Sequence, residues 1–127
     1  MIERYTNLFF KNLWSDENKY QTWFDVEVAA LKALEKSNKI PKNTTKFPSI
    51  TWDSKRILEI EEECKHDFIA FLTFLEEKIG PSAKFIHLGL TTSDIIDTSL
   101  SLNLIKALYL LSKIFHTFFS CACKRIT

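Results

Sequence analysis

The sequence predicts an all-α fold, and three observations support this. The 127 residues include only two glycines and three prolines, so strands joined by tight turns have few residues to build those turns. Apolar residues recur at helical spacing along most of the chain. Hydrophobic residues make up 46% of the sequence and charged residues 26%, which is typical of an ordinary soluble protein with a buried core.

The first predicted helix begins after Trp14 and ends near residues 37–38. Ser15 is its expected cap, and negative charges follow in the first turn. Glu27 falls inside the apolar stripe of this helix. We expect it to lie at the edge of the stripe, with pairing to a cation such as Arg4 as the alternative. The stripe consists of Tyr20, Trp23, Phe24, Ala30, Leu31 and Leu34.

Residues 40–51 are predicted to form a loop, and a second helix follows it. Asp53 is the expected cap, and the helix runs to about Cys64. We expect its apolar residues to face inward and its glutamates to form a solvated face. The apolar residues are Ile57, Leu58 and Ile60, and the glutamates are Glu59, Glu61, Glu62 and Glu63.

Lys65-His66-Asp67 interrupts the helical pattern and places three polar groups at a helix junction. Asp67 is well placed to cap the next helix, which is predicted from Phe68 to Ile79. Gly80-Pro81 stops that helix in the usual C-terminal arrangement.

The last predicted helix begins near Ser93, and its apolar pattern persists over about 26 residues, or roughly 39 Å. The segment from residue 104 to 123 approaches the roughly 20 apolar residues that span a bilayer. Lys106, Lys113 and His116 interrupt it, and charges at the centre of a spanning helix are costly. We therefore favour the interior of a helical bundle. The apolar positions are Leu100, Leu104, Ile105, Leu108, Leu111, Phe115 and Phe118.

Residues 85–94 combine a histidine, a glycine, three hydroxyls and a carboxylate in the turn before this helix. Free N–H groups at a helix start favour an anion, and Gly89 lets a backbone approach closely. The alternative is that Thr92 or Ser93 simply caps the helix in front of Asp94. This segment alone favours the cap.

Composition argues against several other classes. Seventeen basic and sixteen acidic residues leave a formal charge of +1, without a basic run, so nucleic acid is not an expected partner. Three cysteines and the lack of a signal sequence indicate a reducing cytoplasm. Cys121 and Cys123 with His116 lack the spacing of a structural zinc site. We expect no metal and no cofactor.

Three short motifs resemble those of one enzyme family. Met1-Ile2-Glu3-Arg4-Tyr5 resembles its Arg-Tyr start, and Lys65 to Phe71 is similar to its (Arg/Lys)-His-Asp-x-x-Ala-Phe signature. His87 to Asp94 resembles its His-x-Gly-x-Thr-Ser-x-Asp motif. The order and spacing match as well, and Glu27 and the stretch Trp14–Asn18 fit the same pattern. The chain thus resembles the N-terminal portion of the adenylosuccinate lyase family, in the fumarase and aspartase superfamily.

The resemblance implies two parts, an N-terminal helical substrate-binding domain over residues 1–92 and the start of the central helical bundle over residues 93–127. It implies a carbon–nitrogen lyase of purine nucleotide biosynthesis. Such an enzyme eliminates fumarate from adenylosuccinate and from the carboxamide ribotide SAICAR, leaving AMP and AICAR. It further implies a cytoplasmic homotetramer, with each active site built from three subunits.

The resemblance also implies roles for individual residues. Arg4 and Tyr5 would hold the phosphate. Lys65, His66 and Asp67 would contact the nucleotide. Thr91 and Thr92 would donate hydrogen bonds near the succinyl carboxylates. His66 is the residue for which an auxiliary catalytic role is conceivable. His87 is treated as structural, holding the turn, although the residues leave its role open. The substrate-binding residues are Arg4, Tyr5, Lys65, His66, Asp67, Thr91 and Thr92.

Two departures from the family matter for activity. Thr92 replaces the usual serine, which keeps the hydroxyl and adds a methyl. The motifs that carry the family's acid and base, a Thr-His pair and a Gly-Ser-Ser-x-Met-Pro-x-Lys-x-Asn-Pro signature, do not occur in this sequence. We therefore expect a truncated chain that binds part of the substrate without turnover. The alternative from another class is a noncatalytic helical module that binds a partner through its apolar C-terminal helix.

Overall fold

The structure, a computed structural model, describes residues 3–126. The protein is 76% helical, and the described residues contain no strand. The predicted all-α class is therefore confirmed. Met1, Ile2 and Thr127 lie outside the described residues, so the first two positions of the Arg-Tyr motif do too.

Within residues 3–126 the chain forms five α-helices and two 3-10 helices. The α-helices are α1 (Leu8–Leu13), α2 (Asp16–Lys36), α3 (Ser54–Cys64), α4 (Asp67–Ile79) and α5 (Thr92–Ile126). The 3-10 helices span Glu3–Tyr5 and Gly80–Phe85. The bounds predicted for the four longer helices hold at nearly every end; the exception is the end of α5, which extends well beyond the predicted 26 residues.

Three elements were not predicted, and the first of them is the 3-10 helix Glu3–Tyr5. Helix α1 lies where the prediction placed only the approach to the first helix, and a 3-10 helix occupies part of the predicted break after Ile79. Asn7 explains α1, because its side chain accepts a hydrogen bond from the Phe9 N–H at 2.9 Å and so caps the helix.

The predicted caps of α2 and α3 are confirmed. The Ser15 hydroxyl accepts from the Asn18 N–H at 3.2 Å, and the Asp53 carboxylate accepts from the N–H groups of Lys55 and Arg56. Each cap supplies an acceptor to N–H groups that have no partner inside the helix.

The cap of α4 differs from the prediction by one residue. His66 is the cap, and its Nδ1 accepts from the Ile69 N–H at 3.4 Å. Asp67 is instead the first helical residue, where its carboxylate accepts from the Phe68 N–H at 2.7 Å.

The core is an aromatic cluster shared by α2, α3, α4 and the start of α5. Phe71 lies at its centre, with ring centroids 5.4 Å from Trp23, 5.9 Å from Trp52 and 6.2 Å from Tyr20. Burying each large apolar side chain of this kind stabilises the fold by about 1.5–3 kcal/mol. The buried residues of this core are Tyr20, Trp23, Ile57, Ile60, Phe68, Ala70, Phe71, Phe74, Leu75 and Ile95.

The prediction that Leu58 faces inward is wrong, because its side chain is 52% exposed. One residue along a helix turns the side chain by roughly 100°, so Leu58 points away from the face shared by Ile57 and Ile60. Those two residues are buried, as predicted.

Helix α5 packs against α2 through a narrow stripe. Its buried residues recur at every fourth position, at Ile95, Ser99, Asn103 and Ala107. The side-chain Nδ2 of Asn18 donates to Asn103 Oδ1 at 3.4 Å. Most of its large apolar side chains are exposed instead. By length and composition, Thr92–Cys123 suffices to cross a membrane, a test that core helices of soluble proteins also pass.

Candidate functional site

The structure brings two of the three predicted polar segments together. The junction between α3 and α4 carries Lys65-His66-Asp67, and the turn before α5 carries His87. They meet where the Phe68 ring, the second residue of α4, lies 4.9 Å from the His87 ring between centroids. The candidate site is therefore a surface built from the junction and the turn.

The junction exposes all three of its polar side chains. Lys65 ends α3 in the left-handed conformation, with φ of 57°, and its N–H donates to the Glu61 carbonyl at 2.8 Å. The His66 Nδ1 accepts the capping bond from α4, while Asp67 Oδ1 lies 3.5 Å from the same nitrogen. A protonated His66 would pair with Asp67 and give up the cap, because Nδ1 cannot accept and donate at once.

The turn before α5 is closed by a reciprocal pair of hydrogen bonds. The Thr91 N–H donates to Asp94 Oδ2 at 2.9 Å, and the Asp94 N–H donates to the Thr91 carbonyl at 3.0 Å. Asp94 thus acts as the acidic residue of a capping box acts, and its negative charge suits the helix dipole. The cap position is Thr91, so the expectation of a cap at Thr92 or Ser93 is wrong by a residue or two.

The hydroxyls of Thr91 and Thr92 remain available to a ligand. Thr91 is exposed and Thr92 half-buried, and within residues 3–126 neither hydroxyl has a hydrogen-bond partner. Two backbone positions in the preceding turn have positive φ, 63° at His87 and 75° at Gly89. At Gly89 such a conformation is free of the strain that a side chain would bring.

The sequence-based expectation for Glu27 is wrong. Its side chain is 0% exposed, and both carboxylate oxygens contact His87. Oε2 accepts from the His87 N–H at 2.9 Å, and Oε1 lies 2.7 Å from His87 Nδ1. A charged group is buried only when it is paired, and the partner here is His87 and not Arg4.

This pair is the part of the site that sequence reasoning missed. The one available signal was a glutamate inside an apolar stripe, seven residues from Tyr20 and seven from Leu34. The contact with His87 supports the structural role predicted for that residue.

Arg4 and Tyr5 form a separate group at the N-terminus. The Arg4 guanidinium donates to the Tyr5 hydroxyl at 2.8 Å and lies 4.8 Å from the centre of its ring. Both side chains are exposed. Among the described residues, no hydrogen bond or ion pair joins them to the junction or to the turn.

The side chains on this surface are suited to binding a ligand. It offers a lysine, an exposed imidazole, a carboxylate and two free hydroxyls near the start of a long helix, which suits an anionic ligand. In the part of the chain that the structure describes, no three His, Cys, Asp or Glu side chains are placed to hold a metal ion. Among the described residues, Cys64, Cys121 and Cys123 form no disulfide.

Comparison with known proteins identifies similar sequences. No family model matches the chain. Adenylosuccinate lyases are 44% identical over 87% of this chain in Synechocystis sp., 41% over 80% in Bacillus subtilis and 38% over 89% in Aquifex aeolicus. The chain spans about a quarter of the length of these relatives, between 24% and 27%.

A solved structure is similar in fold. The crystal structure of a fumarate lyase from a Mesorhizobium species matches 83% of this chain and 26% of its own, with a TM-score of 0.71 and 23% sequence identity. This match agrees with the helical fold of the fumarase and aspartase superfamily. The 38–44% identity to adenylosuccinate lyases over most of this chain confirms the resemblance found in the sequence.

Proposed function

We propose that this chain is the N-terminal portion of an adenylosuccinate lyase and forms one wall of its active site. The observation that carries the proposal is the 38–44% identity to proteins of that name over most of this chain. The whole enzyme would eliminate fumarate from adenylosuccinate and from SAICAR in purine nucleotide biosynthesis, with AMP and AICAR as the other products. It would do so in the cytoplasm as a homotetramer.

The proposed binding residues supply what a nucleotide monophosphate requires. Arg4 offers a planar guanidinium that suits phosphate, and Lys65 offers a point charge. His66 and Asp67 would contact the nucleotide from the junction, while the two threonine hydroxyls before α5 would donate to the succinyl carboxylates. All of these side chains are exposed except that of Thr92, which is half-buried, and this supports the proposal because a ligand or another subunit can reach them.

The proposed division of labour leaves catalysis incomplete in this chain. Elimination needs one group to take the carbon-bound proton and another to protonate the departing nitrogen, and each contributes roughly 10² to 10⁴ in rate. His66 is the candidate for an auxiliary role here. The principal acid and base would come from the family's motifs that do not occur in this sequence.

The exposed surface of α5 is the basis for the proposed assembly of the whole enzyme. We propose that residues 1–92 form the substrate-binding domain and that residues 93–127 begin the central bundle of the tetramer. The exposed apolar side chains of α5 support this division, since a helix that is apolar on most sides requires neighbours.

Titration with AMP tests the binding role. We expect the wild-type chain to bind AMP, and Arg4→Ala and Lys65→Ala each to weaken that binding by about tenfold, the loss of one charge-assisted hydrogen bond. Lys55→Ala is the matched control, because Lys55 is an exposed lysine on α3, the helix that Lys65 ends. Unchanged affinity in both variants would contradict the assignment.

The second candidate is a noncatalytic helical module that binds a partner through α5. The exposed apolar side chains of that helix favour it, and it predicts no nucleotide affinity. The same titration therefore separates the two functions.

A further inference from the structure

The buried carboxylate of Glu27 makes contacts with one residue from a distant part of the chain. Glu27 lies in the middle of α2, and His87 follows it by 60 residues. The Glu27 side chain is 0% exposed, while the His87 side chain is 20% exposed. The Glu27 carboxylate is thus fully buried, and the partly exposed His87 imidazole contacts it.

The two contacts fix the position of a proton. An ionised carboxylate only accepts hydrogen bonds, so both of its oxygens require donors. The His87 backbone N–H supplies one donor to Oε2. With Glu27 ionised, the second donor is a protonated Nδ1, which lies 2.7 Å from Oε1. The neutral form of His87 protonated only on Nε2 does not satisfy this arrangement.

The same contacts determine the backbone of the turn. His87 adopts a φ of 63°, a conformation that is uncommon for residues other than glycine. Its N–H and ring are both held by Glu27, and its carbonyl accepts from the Leu90 N–H at 3.4 Å. Four residues later, Thr91 caps α5, which begins at Thr92. The Phe68 ring, beside the junction, also contacts the His87 ring, with 4.9 Å between their centroids.

We propose that Glu27 is a positioning residue, which holds His87 protonated on Nδ1 and thereby fixes the turn that presents Thr91 and Thr92. The nature of the ligand at that turn rests on the proposed function, whereas the proton position does not. In the neutral ring with its proton on Nδ1, Nε2 is left as an acceptor.

Replacement of Glu27 by glutamine gives a specific test. The glutamine amide can satisfy both His87 groups only by accepting from the backbone N–H and donating to Nδ1, which requires the proton to move to Nε2. We therefore expect Glu27→Gln to fold and to reverse the tautomer. Glu17→Gln is the matched control, because Glu17 is an exposed glutamate on the same helix.

The readout is ¹⁵N NMR of the imidazole nitrogens at about pH 8, above the ordinary pKa of histidine. His87→Gln identifies the signals of His87 by their loss. We expect a protonated Nδ1 in the wild type and in the control, an unprotonated Nδ1 in Glu27→Gln, and shifted amide signals of Thr91 and Thr92 in that variant. An unprotonated Nδ1 in the wild type would overturn the inference even if the variant does not fold.

AMP titration of the same samples tests the consequence for binding. We expect Glu27→Gln to bind AMP about tenfold more weakly than the wild type and Glu17→Gln to bind it equally. Equal affinity in Glu27→Gln, with the tautomer reversed, would overturn the positioning role. If the wild type does not bind AMP, the proposed function fails, and the spectra and the shifts of the two threonine amides decide this inference alone.

Discussion

Single side chains of this protein stabilise local structure by accepting hydrogen bonds, and the carboxylate of Glu27 is the clearest case. A buried carboxylate is costly to desolvate, and two short hydrogen bonds to His87 offset that cost. The benefit is a defined backbone at a position with positive φ, directly before the polar start of α5.

Glu27→Ala is predicted to destabilise the fold. It leaves the His87 N–H and Nδ1 without their acceptor, and each unsatisfied buried group costs about 1–3 kcal/mol. We expect the free energy of unfolding, measured by urea denaturation, to fall by at least about 2 kcal/mol. Glu17→Ala should change it by about 0.5 kcal/mol or less. An equal loss in the two variants would contradict the role assigned to the pair.

Local residue patterns predicted the caps of α2 and α3 but not this pair. Ser15 and Asp53 are recognisable because a cap and the N–H groups it serves lie within three residues of each other. Glu27 and His87 are 60 residues apart, so only the packed fold shows that they meet. The motif containing His87 was recognised, whereas its partner was not.

Glu35 gives a prediction for pH dependence. The Asn43 N–H, and then the Thr45 hydroxyl at 2.8 Å, hold the pKa of Glu35 below its ordinary value. These contacts tie the loop after α2 to the end of that helix. Because the folded-state pKa is depressed, the stabilisation is present above the unfolded-state pKa of about 4.3 and is lost as pH falls through the lower folded-state value.

Glu35→Gln should therefore lower the thermal midpoint at pH 7, and the difference should shrink as pH falls through the lowered folded-state pKa of Glu35, where the wild-type carboxylate becomes protonated. Thermal denaturation of both proteins at pH 7 and at a series of acidic pH values checks this. A difference that persists undiminished in acid would show that the ionised carboxylate is not responsible.

At the scale of the secondary-structure elements, capping residues determine where the helices begin. Capping residues placed α2, α3 and α5 close to where the sequence predicts them, and the cap at Asn7 began a helix that the prediction omitted. Asn7 precedes a segment of only six helical residues, too short for a periodic apolar pattern to become apparent. Leu58 shows the same limit, since an apolar residue can occupy the exposed side of a helix.

Asp94→Ala is predicted to weaken the start of α5. It removes the acceptor of the Thr91 N–H and a negative charge from the first turn, and such a change costs about 0.5–2 kcal/mol. Asp97→Ala, in the next turn, is the control, because the Asp97 side chain is exposed and its carboxylate accepts no hydrogen bond from any residue in the range 3–126. Urea denaturation compares the two. Equal stabilities would contradict the capping role.

At the scale of the whole molecule, α5 is only partly covered. Its buried stripe reaches no further than Ala107 among the fully buried positions, while Phe118 is 65% exposed. The sequence predicted an apolar helix suited to a bundle, and among the described residues the second half of that helix exposes its large apolar side chains. The exposed large apolar side chains of its second half are Leu111, Ile114, Phe115, Phe118 and Phe119.

The chain is predicted to self-associate through this end of α5. Exposed apolar patches of this kind mark interaction surfaces. We expect sedimentation velocity to show oligomers of the wild type at high concentration, and a variant with Phe115, Phe118 and Phe119 all replaced by serine to sediment as a smaller species. A wild type that stays monomeric at high concentration would count against the prediction.

The central claim is that this chain supplies one wall of a shared adenylosuccinate lyase site. Its most direct test follows AMP release from adenylosuccinate by the purified chain, first alone and then mixed with the part of the Bacillus subtilis relative that follows the region matched here. The account predicts no turnover by the chain alone and turnover after mixing. Turnover by the chain alone, abolished by His66→Ala, would contradict it.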